Sequence, residues 1–384
     1  MRFMLLFSAL LLVLAGCASG SDDGGGGDSR VTALALQQLP HDLTSQAMLD
    51  SQQLVRDEAD VIVQHLEHGV PWDAALANDY NQYPADFKGD IASRKAATPA
   101  GRRVLLSTAP ISEDRTTIAL SRVQPAMPGD PDLVALAPWS TRPLDHADVV
   151  TAFTNHCKFL VTEFSPTWLT FCIEANLFRE NSGDTAWGQL INGLGAIRAN
   201  LRAAFPNLPL IVSISGDAYY RNTPYAQGPA VAQVLGLSDY VSLSTYAAGD
   251  AALFPTGAQL NPALIPANYY SDIAALAPTK PFAIAETAWP AEDIDFSGTV
   301  VFYSNAAYQQ AYVQRLLDEC RKLRAKFLYW VVPRDYDDAW NNGWSTSPLA
   351  NFIRIYRDCG LFDGAGNPRG SANLWRSFRA VPLK

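Results

Sequence analysis

Two apolar runs in this chain each close on a single acid. "TFCIEANL" (170–177) carries Glu174, and "FAIAETAW" (282–289) carries Glu286, 112 residues further on. Glutamate is almost never fully buried without a partner. An acid at the tip of a segment built for burial is therefore either ion-paired or a working group at the mouth of a pocket. Two such acids brought together can divide the work of proton donor and of nucleophile or base. Their mutual repulsion also raises the proton affinity of one of them, so that one stays protonated near neutral pH.

Other residues join the pair by type and position. Tyr246 in "YVSLSTYA" (240–247) can donate a hydrogen bond to Glu286 and keep it ionised and aimed. Trp289 and Trp330 offer flat apolar faces. His65, Asn176 and Asp217 stand at or just past the ends of other apolar runs. His65 and His68 are three residues apart at a strand end, which points them to opposite faces and argues against a shared metal. The four cysteines Cys157, Cys172, Cys320 and Cys359 lack C-x-x-C spacing, which argues against zinc. The acidic stretch "PRDYDDAWNNGW" (333–344) lacks the ligand spacing of a calcium loop. It reads as a loop with Trp340 and Trp344 as further contact aromatics. No nucleophile elbow, P-loop or dinucleotide glycine pattern is present, and no metal or cofactor is expected.

These residues need elements to hold them. Short apolar, β-branched runs occur at 31–38, 60–67, 103–111, 170–177, 210–216, 240–247, 282–289 and 327–333. Segments of helical period lie between them. Thr44 is a cap candidate for the first helix, with Met48, Leu49 and Leu54 as its apolar residues. In a later one Val149, Phe153, Cys157 and Leu160 form one stripe. Eight β-then-α units in about 350 residues predict an α/β fold, a single (β/α)8 barrel, with active groups at the C-terminal ends of the strands. A doubly wound sheet would usually place glycines after the first strand, where "QQLPHD" has none. The Pro-, Gly- and Asp-rich insertion 112–145, after the third strand, should decorate the barrel mouth. In an eight-strand ring the fourth and seventh strands face each other obliquely, so Glu174 and Glu286 can converge.

"FSPTWLTFCIEANL", "FAIAETAWP" and the tryptophan in "FLYWVVP" resemble the strand-four, strand-seven and strand-eight motifs of clan A glycoside hydrolases, barrels of families such as 53, 17 and 5. The resemblance implies a retaining two-carboxylate mechanism, with Glu174 as acid/base and Glu286 as nucleophile. It further implies a polysaccharide or oligosaccharide substrate bound by Asn176, Tyr246, Trp289, Trp330, His65 and Asp217, and endo action on a β-glycan. Ile173 stands where the clan usually has an asparagine before the acid/base, and Ala288 where strand seven often has glycine. The alternative is a carbohydrate-binding lipoprotein on a barrel that no longer turns its sugar over.

The N-terminus addresses location. Arg2 precedes an apolar run, 3–14, too short for a mature membrane span. Residues 1–16 read as a signal peptide, and "LAGC" resembles the bacterial lipobox, which implies lipidation of Cys17 and a membrane-anchored envelope lipoprotein. Ala18 implies the outer membrane. Residues 17–30 are a Gly/Ser/Asp-rich tether, and 31–384 form the barrel domain, expected as a monomer. The net charge of −9, without a basic run, excludes a nucleic-acid partner. The four remaining cysteines of an exported protein allow either two disulfides or four buried thiols.

Overall fold

The computed structural model describes residues 29–125, 131–220, 227–249, 253–296, 299–347 and 350–384. Residues 1–28, on which the signal-peptide and Cys17 readings and nearly all of the tether reading fall, lie outside these. Arg30, the last residue expected in the tether, is already folded: it is buried and forms an ion pair with Asp60 at 2.7 Å.

Eight parallel strands make the barrel: β1 Ala33–Gln37, β2 Val61–His65, β3 Arg103–Ser107, β4 Trp168–Cys172, β5 Leu210–Val212 continuing as Ile214–Ser215, β6 Val241–Thr245, β7 Phe282–Thr287 and β8 Phe327–Trp330. All eight fall within or against the runs read from sequence. The hydrogen-bonded order runs from the first half of β5 through β4, β3, β2, β1, β8, β7 and β6 to the second half of β5. Both ends of that order are the same strand, interrupted at Ser213, so the ring is closed. A helix follows each strand, as in the Ser45–Glu58 segment after β1 and the Ala147–Phe164 segment after β3.

Alternation along each strand sorts side chains between two layers. Ala33, Ala35, Val61, Val63, Leu105, Trp168, Ile211, Ala283, Phe327 and Tyr329 pack together inside the barrel. The residues between them in the strands, such as Leu34, Ile62, Leu169 and Leu328, join the larger cluster beneath the helices. Trp168 fills the interior beside Phe327, with ring centroids 5.1 Å apart, and its Nε1 donates to the Tyr240 hydroxyl at 3.1 Å. The interior is packed, which leaves the mouth as the place where a ligand could enter.

Local signals were met with one shift. The Thr44 side chain accepts from Ala47 N at 3.1 Å, as an N-cap should. The buried stripe of that helix, however, is Ala47, Ser51 and Val55, and Leu49 is exposed. The stripe Val149, Phe153, Cys157 and Leu160 is fully buried as expected. The four cysteines are buried free thiols. Among the described residues, no helix is long and apolar enough to cross a membrane.

Trp330 shares the outward side of β8 with Leu328, while Tyr329 faces inward. Trp330 is 0% exposed, and its Nε1 donates to Val332 O at 3.0 Å and Cys359 O at 3.1 Å. It is therefore a packing residue and not a sugar platform. Trp330→Ala should cost about 3–5 kcal/mol of unfolding free energy, as large aromatic truncations in cores do. Urea denaturation checks this, and an unchanged midpoint would contradict the placement.

Candidate active site

The position of Glu286 depends on one extra residue in β7. Ala283 pairs with Ser242 and Ile284 with Leu243, but Glu286 then pairs with Ser244 and Thr287 with Thr245. The same slip appears against β8. Ala285 is thus the additional residue of a β-bulge, a device that re-aims side chains. In a regular strand Glu286 would share the outward side of Ile284. The bulge turns it into the barrel mouth and sends Thr287 outward, where its hydroxyl meets Tyr312 OH at 2.7 Å. The strand can close on a carboxylate because its register breaks one residue earlier.

Glu174 is placed by a second irregularity. Thr170 pairs with Ile211 and Cys172 with Val212, so β4 carries an extra residue as well. The chain then leaves the strand, and Glu174 takes a left-handed conformation, φ 51 and ψ 41, at the start of the helical segment Ala175–Ala204. Its N–H donates to Ser213 Oγ at 2.9 Å, and Ser213 Oγ lies 3.2 Å from Ser244 Oγ. The break in β5 thereby supports the backbone of the first carboxylate. Such backbone in a non-glycine residue costs free energy and is held only where surroundings dictate it.

Between the two acids runs a chain of charges. His65 Nδ1 lies 3.4 Å from Glu286 Oε1, and His65 Nε2 lies 3.3 Å from Glu67 Oε2. Arg115 Nη1 is tightly paired with Glu67, and its Nη2 is 3.4 Å from Glu174 Oε2. Tyr246 OH donates to Glu286 Oε2 at 3.4 Å, the contact read from sequence. Tyr356 meets Tyr246 edge to face, with centroids 5.3 Å apart. Glu67, Arg115 and Glu286 are almost entirely buried, with side-chain exposures of 8%, 5% and 8%.

This burial and mutual charge set the protonation states. Burial pushes the Glu286 carboxyl up to about 7; His65 and Arg115 oppose that rise, and Glu174 and Glu67 reinforce it. Burial alone would lower His65, but its hydrogen bond to Glu67 and the two acids beside it hold it above its ordinary value. Burial would raise Glu67, yet Arg115 and His65 hold it below the usual range. Burial drives Tyr246, Tyr329 and Tyr356 well above the ordinary phenol value, reinforced by Glu286 for the first two and by Glu174 for Tyr356, so all three remain hydrogen-bond donors.

The structure thus unites Glu174, Glu286, His65 and Tyr246 and corrects the other expected contacts. Trp289 is 0% exposed; beyond the bulge it follows the outward side of Thr287 and stacks on Tyr312 at 4.4 Å. It packs the barrel wall, as Trp330 does. Asn176 is fully buried: its Nδ2 donates to Ser215 O at 3.1 Å, and its Oδ1 accepts from Ser215 N at 2.7 Å. It ties helix to strand. The Asp217 carboxylate accepts from Tyr246 N at 2.9 Å and Tyr269 OH at 2.8 Å, so it supports Tyr246. His68 is exposed and pairs with Glu113 at 2.6 Å.

Glu67, Arg115, Tyr329 and Tyr356 were not singled out from sequence. Glu67 could have been suspected as an acid two residues beyond His65, and Tyr329 from its inward parity. Arg115 is one arginine in a polar turn, and Tyr356 lies in a distant helix; neither carries a local signal.

A second acidic group, Glu292, Asp335 and Asp358, gathers beyond β8. Arginines meet it: Arg369 lies 2.7 Å from Asp335, and Arg354 lies 2.7 Å from Asp358. Burial raises Asp335 to about 7. With its charge answered by guanidinium groups, this cluster reads as a structural anchor of the 333–369 segment.

Comparison of the sequence with protein families finds no match, and comparison with curated proteins finds none either. Solved structures do match. A GH5_18 protein of Streptomyces cattleya in complex with GlcNAc has a TM-score of 0.61 at 14% identity, over 93% of this chain and 83% of that one. The exo-beta-1,4-mannosidase Op5Man5 from Opitutaceae bacterium strain TAV5 also has 0.61 at 14%, over 94% of this chain and 62% of that one. Native xylanase 10B from Thermotoga maritima has 0.54 at 11%, over 91% and 94%. What this chain shares with these structures is the fold, a (β/α)8 barrel.

The raised Glu286 makes a prediction about stability. Its folded value is about 7, against an ordinary value of 4.5. Between those values the folded state keeps a proton that the unfolded state has lost, so stability falls as pH rises through that window. Glu286→Gln, which mimics the protonated acid, should match the wild type at pH 4 and exceed it by about 3 kcal/mol at pH 8. Urea titrations at both pH values decide it; equal curves at pH 8 would refute the raised carboxyl.

Proposed function

We propose that this chain is a cell-envelope glycoside hydrolase that cleaves O-glycosidic bonds of a polysaccharide or oligosaccharide with retention. The observation that carries this reading is the convergence of Glu174 and Glu286 on one buried network at the barrel mouth, linked through Arg115, Glu67 and His65. Glu174 protonates the leaving oxygen. Glu286 attacks the anomeric carbon to form a glycosyl-enzyme, and Glu174 then takes a proton from the water that releases it. Tyr246 and His65 steady the Glu286 carboxylate before attack. An endo-acting β-glycanase is the favoured form, by resemblance to the clan. The GlcNAc in the Streptomyces cattleya structure and the mannosidase name of the Opitutaceae protein suggest β-linked hexosides for the first substrate panel.

Two observations favour a second reading, a carbohydrate-binding lipoprotein without turnover. Ile173 stands before Glu174, and Arg115 pairs with Glu174. One experiment separates the two readings. Purified chain is incubated with β-mannan, xylan, β-glucan and galactan, and with aryl β-glycosides. Released sugar is followed, with the anomer of first product read by proton NMR. The hydrolase reading expects product of retained configuration and a loss of at least about 10³-fold in Glu174→Gln and Glu286→Gln. Glycan retention on affinity gels without product supports the binding reading instead.

Ionisation of Glu286 before attack adds an expectation for pH. The acid limb of kcat/KM should lie near 7, because the nucleophile must lose its proton. Initial rates from pH 5 to 9 test this, and a limb near 4.5 would contradict the role. The envelope location, which Cys17 carries, has its own check. Cys17→Ser should move the expressed protein from the membrane pellet to the soluble fraction, and persistence in the pellet would count against a lipid anchor.

A further inference from the structure

Ile173, the chain neighbour of Glu174, cannot hydrogen-bond through its side chain. What stands beside Glu174 comes instead from the insertion after β3. Residues 112–117 form a tight turn: Ser112 N donates to Thr117 O at 2.9 Å, and Arg115 N donates to Ser112 O at 2.9 Å. The Asp114 carboxylate accepts from Ser112 Oγ at 2.5 Å, Thr116 N at 3.1 Å and Thr116 Oγ1 at 2.7 Å. Arg115 itself has φ 57, the left-handed region that a branched or long side chain seldom adopts. Glu174, across the ion pair, is left-handed too.

The turn is also fastened to the helical segment that Glu174 begins. Asn181 Nδ2 donates to Asp114 O at 3.0 Å, and Ser182 Oγ donates to Thr116 O at 2.5 Å. At its tip, Arg115 Nη1 donates to Ser112 O at 3.1 Å and Glu113 O at 3.0 Å, besides its pairing with Glu67. The guanidinium is thereby fixed, and its second nitrogen reaches Glu174 Oε2 at 3.4 Å. Strained backbone at two facing residues, held by bonds that converge from both sides, points to a site that the surrounding structure is built to impose.

We propose that Arg115 is the positioning residue for Glu174, delivered by the 112–117 turn and anchored on Glu67. The inference rests on the reading of Glu174 as acid/base. A fixed fork of donors orients the carboxylate, and its charge ties the ionisation of Glu174 to that of Glu286 across the site. The ionisable groups around this pair are Arg115, His65 and Glu67, with Tyr246 from β6, Tyr329 from β8 and Tyr356 from the helix Ala350–Tyr356.

The test is a carbon-13 NMR titration of full-length protein labelled at glutamate Cδ, with the two resonances assigned from Glu174→Gln and Glu286→Gln spectra. In Arg115→Met, loss of a cation at this distance should move the Glu174 titration up by about one pH unit, with a smaller rise for Glu286. Arg115→Lys should restore much of the Glu174 shift. Arg115→Met takes the guanidinium from buried Glu67 and leaves that acid to His65, so the double variant Arg115→Met/Glu67→Gln removes both halves of the Arg115–Glu67 pair. It should show the same Glu174 shift. An unchanged Glu174 titration in either variant overturns the proposal, as does a shift confined to Glu286. No substrate enters the titration, so it stands apart from the hydrolysis assay. A shift without hydrolysis keeps Arg115 in its place and removes the catalytic reading, whereas hydrolysis without a shift does the reverse.

Discussion

Taking charge out of water costs several kcal/mol per ion unless each charge is answered at close range. At the mouth of this barrel five ionisable side chains, His65, Glu67, Arg115, Glu174 and Glu286, lie in one largely buried group. They come from β2, the segment just beyond it, the insertion after β3, the end of β4 and the end of β7. The group is tolerable only because its members meet in sequence, acid against base. Much of the irregular structure nearby serves that requirement. The bulge at Ala285 turns Glu286 inward, the break at Ser213 supports the backbone of Glu174, and the left-handed turn at Arg115 inserts the cation between two acids.

The same arrangement makes the site chemically uneven. Arg115 stands on the Glu174 side, whereas Glu286 faces burial and two other acids with His65 as its nearest cation. Before substrate arrives the proton is thereby favoured on Glu286 and the charge on Glu174, the reverse of the roles proposed for them, so the proposed reaction requires substrate binding to shift the proton to Glu174. The tyrosines add donors that stay protonated. Tyr246 is the most direct of these, and Asp217 and Tyr269 hold it from behind. Asp217 thus acts on the site through a neighbour.

The fold was legible because it is written in repetition. Eight apolar runs separated by helix-period segments specify a barrel through local rules, and each strand formed within a few residues of its reading. The site was legible where position in that pattern was enough. Glu174, Glu286, His65 and Tyr246 come together because they stand at strand ends, and barrel strands present their ends to one mouth. Asn176 was misplaced because the chain has already turned into a helix there, which ties its amide to Ser215; Trp289 and Trp330 were misplaced for another, shared reason. Whether a strand-end residue faces the pore or the helices depends on parity, and a single extra residue reverses it. The bulge at Ala285 put Glu286 inside and Trp289 outside. No composition signal separates an alanine in a bulge from an alanine in a regular strand.

By itself, the sequence determined the class of fold, the order of its elements and the two acids at the strand tips, because hydrophobic period and strand-end position are local properties of the chain. Only the tertiary structure decided which aromatics face the mouth, that the four cysteines of the described chain are thiols, and that Arg115 and Glu67 stand between the carboxylates. Those outcomes depend on register and on contacts between residues far apart in sequence. Arg115 and Glu174 are separated by a whole helix and strand, and their pairing exists only once the ring has closed around them.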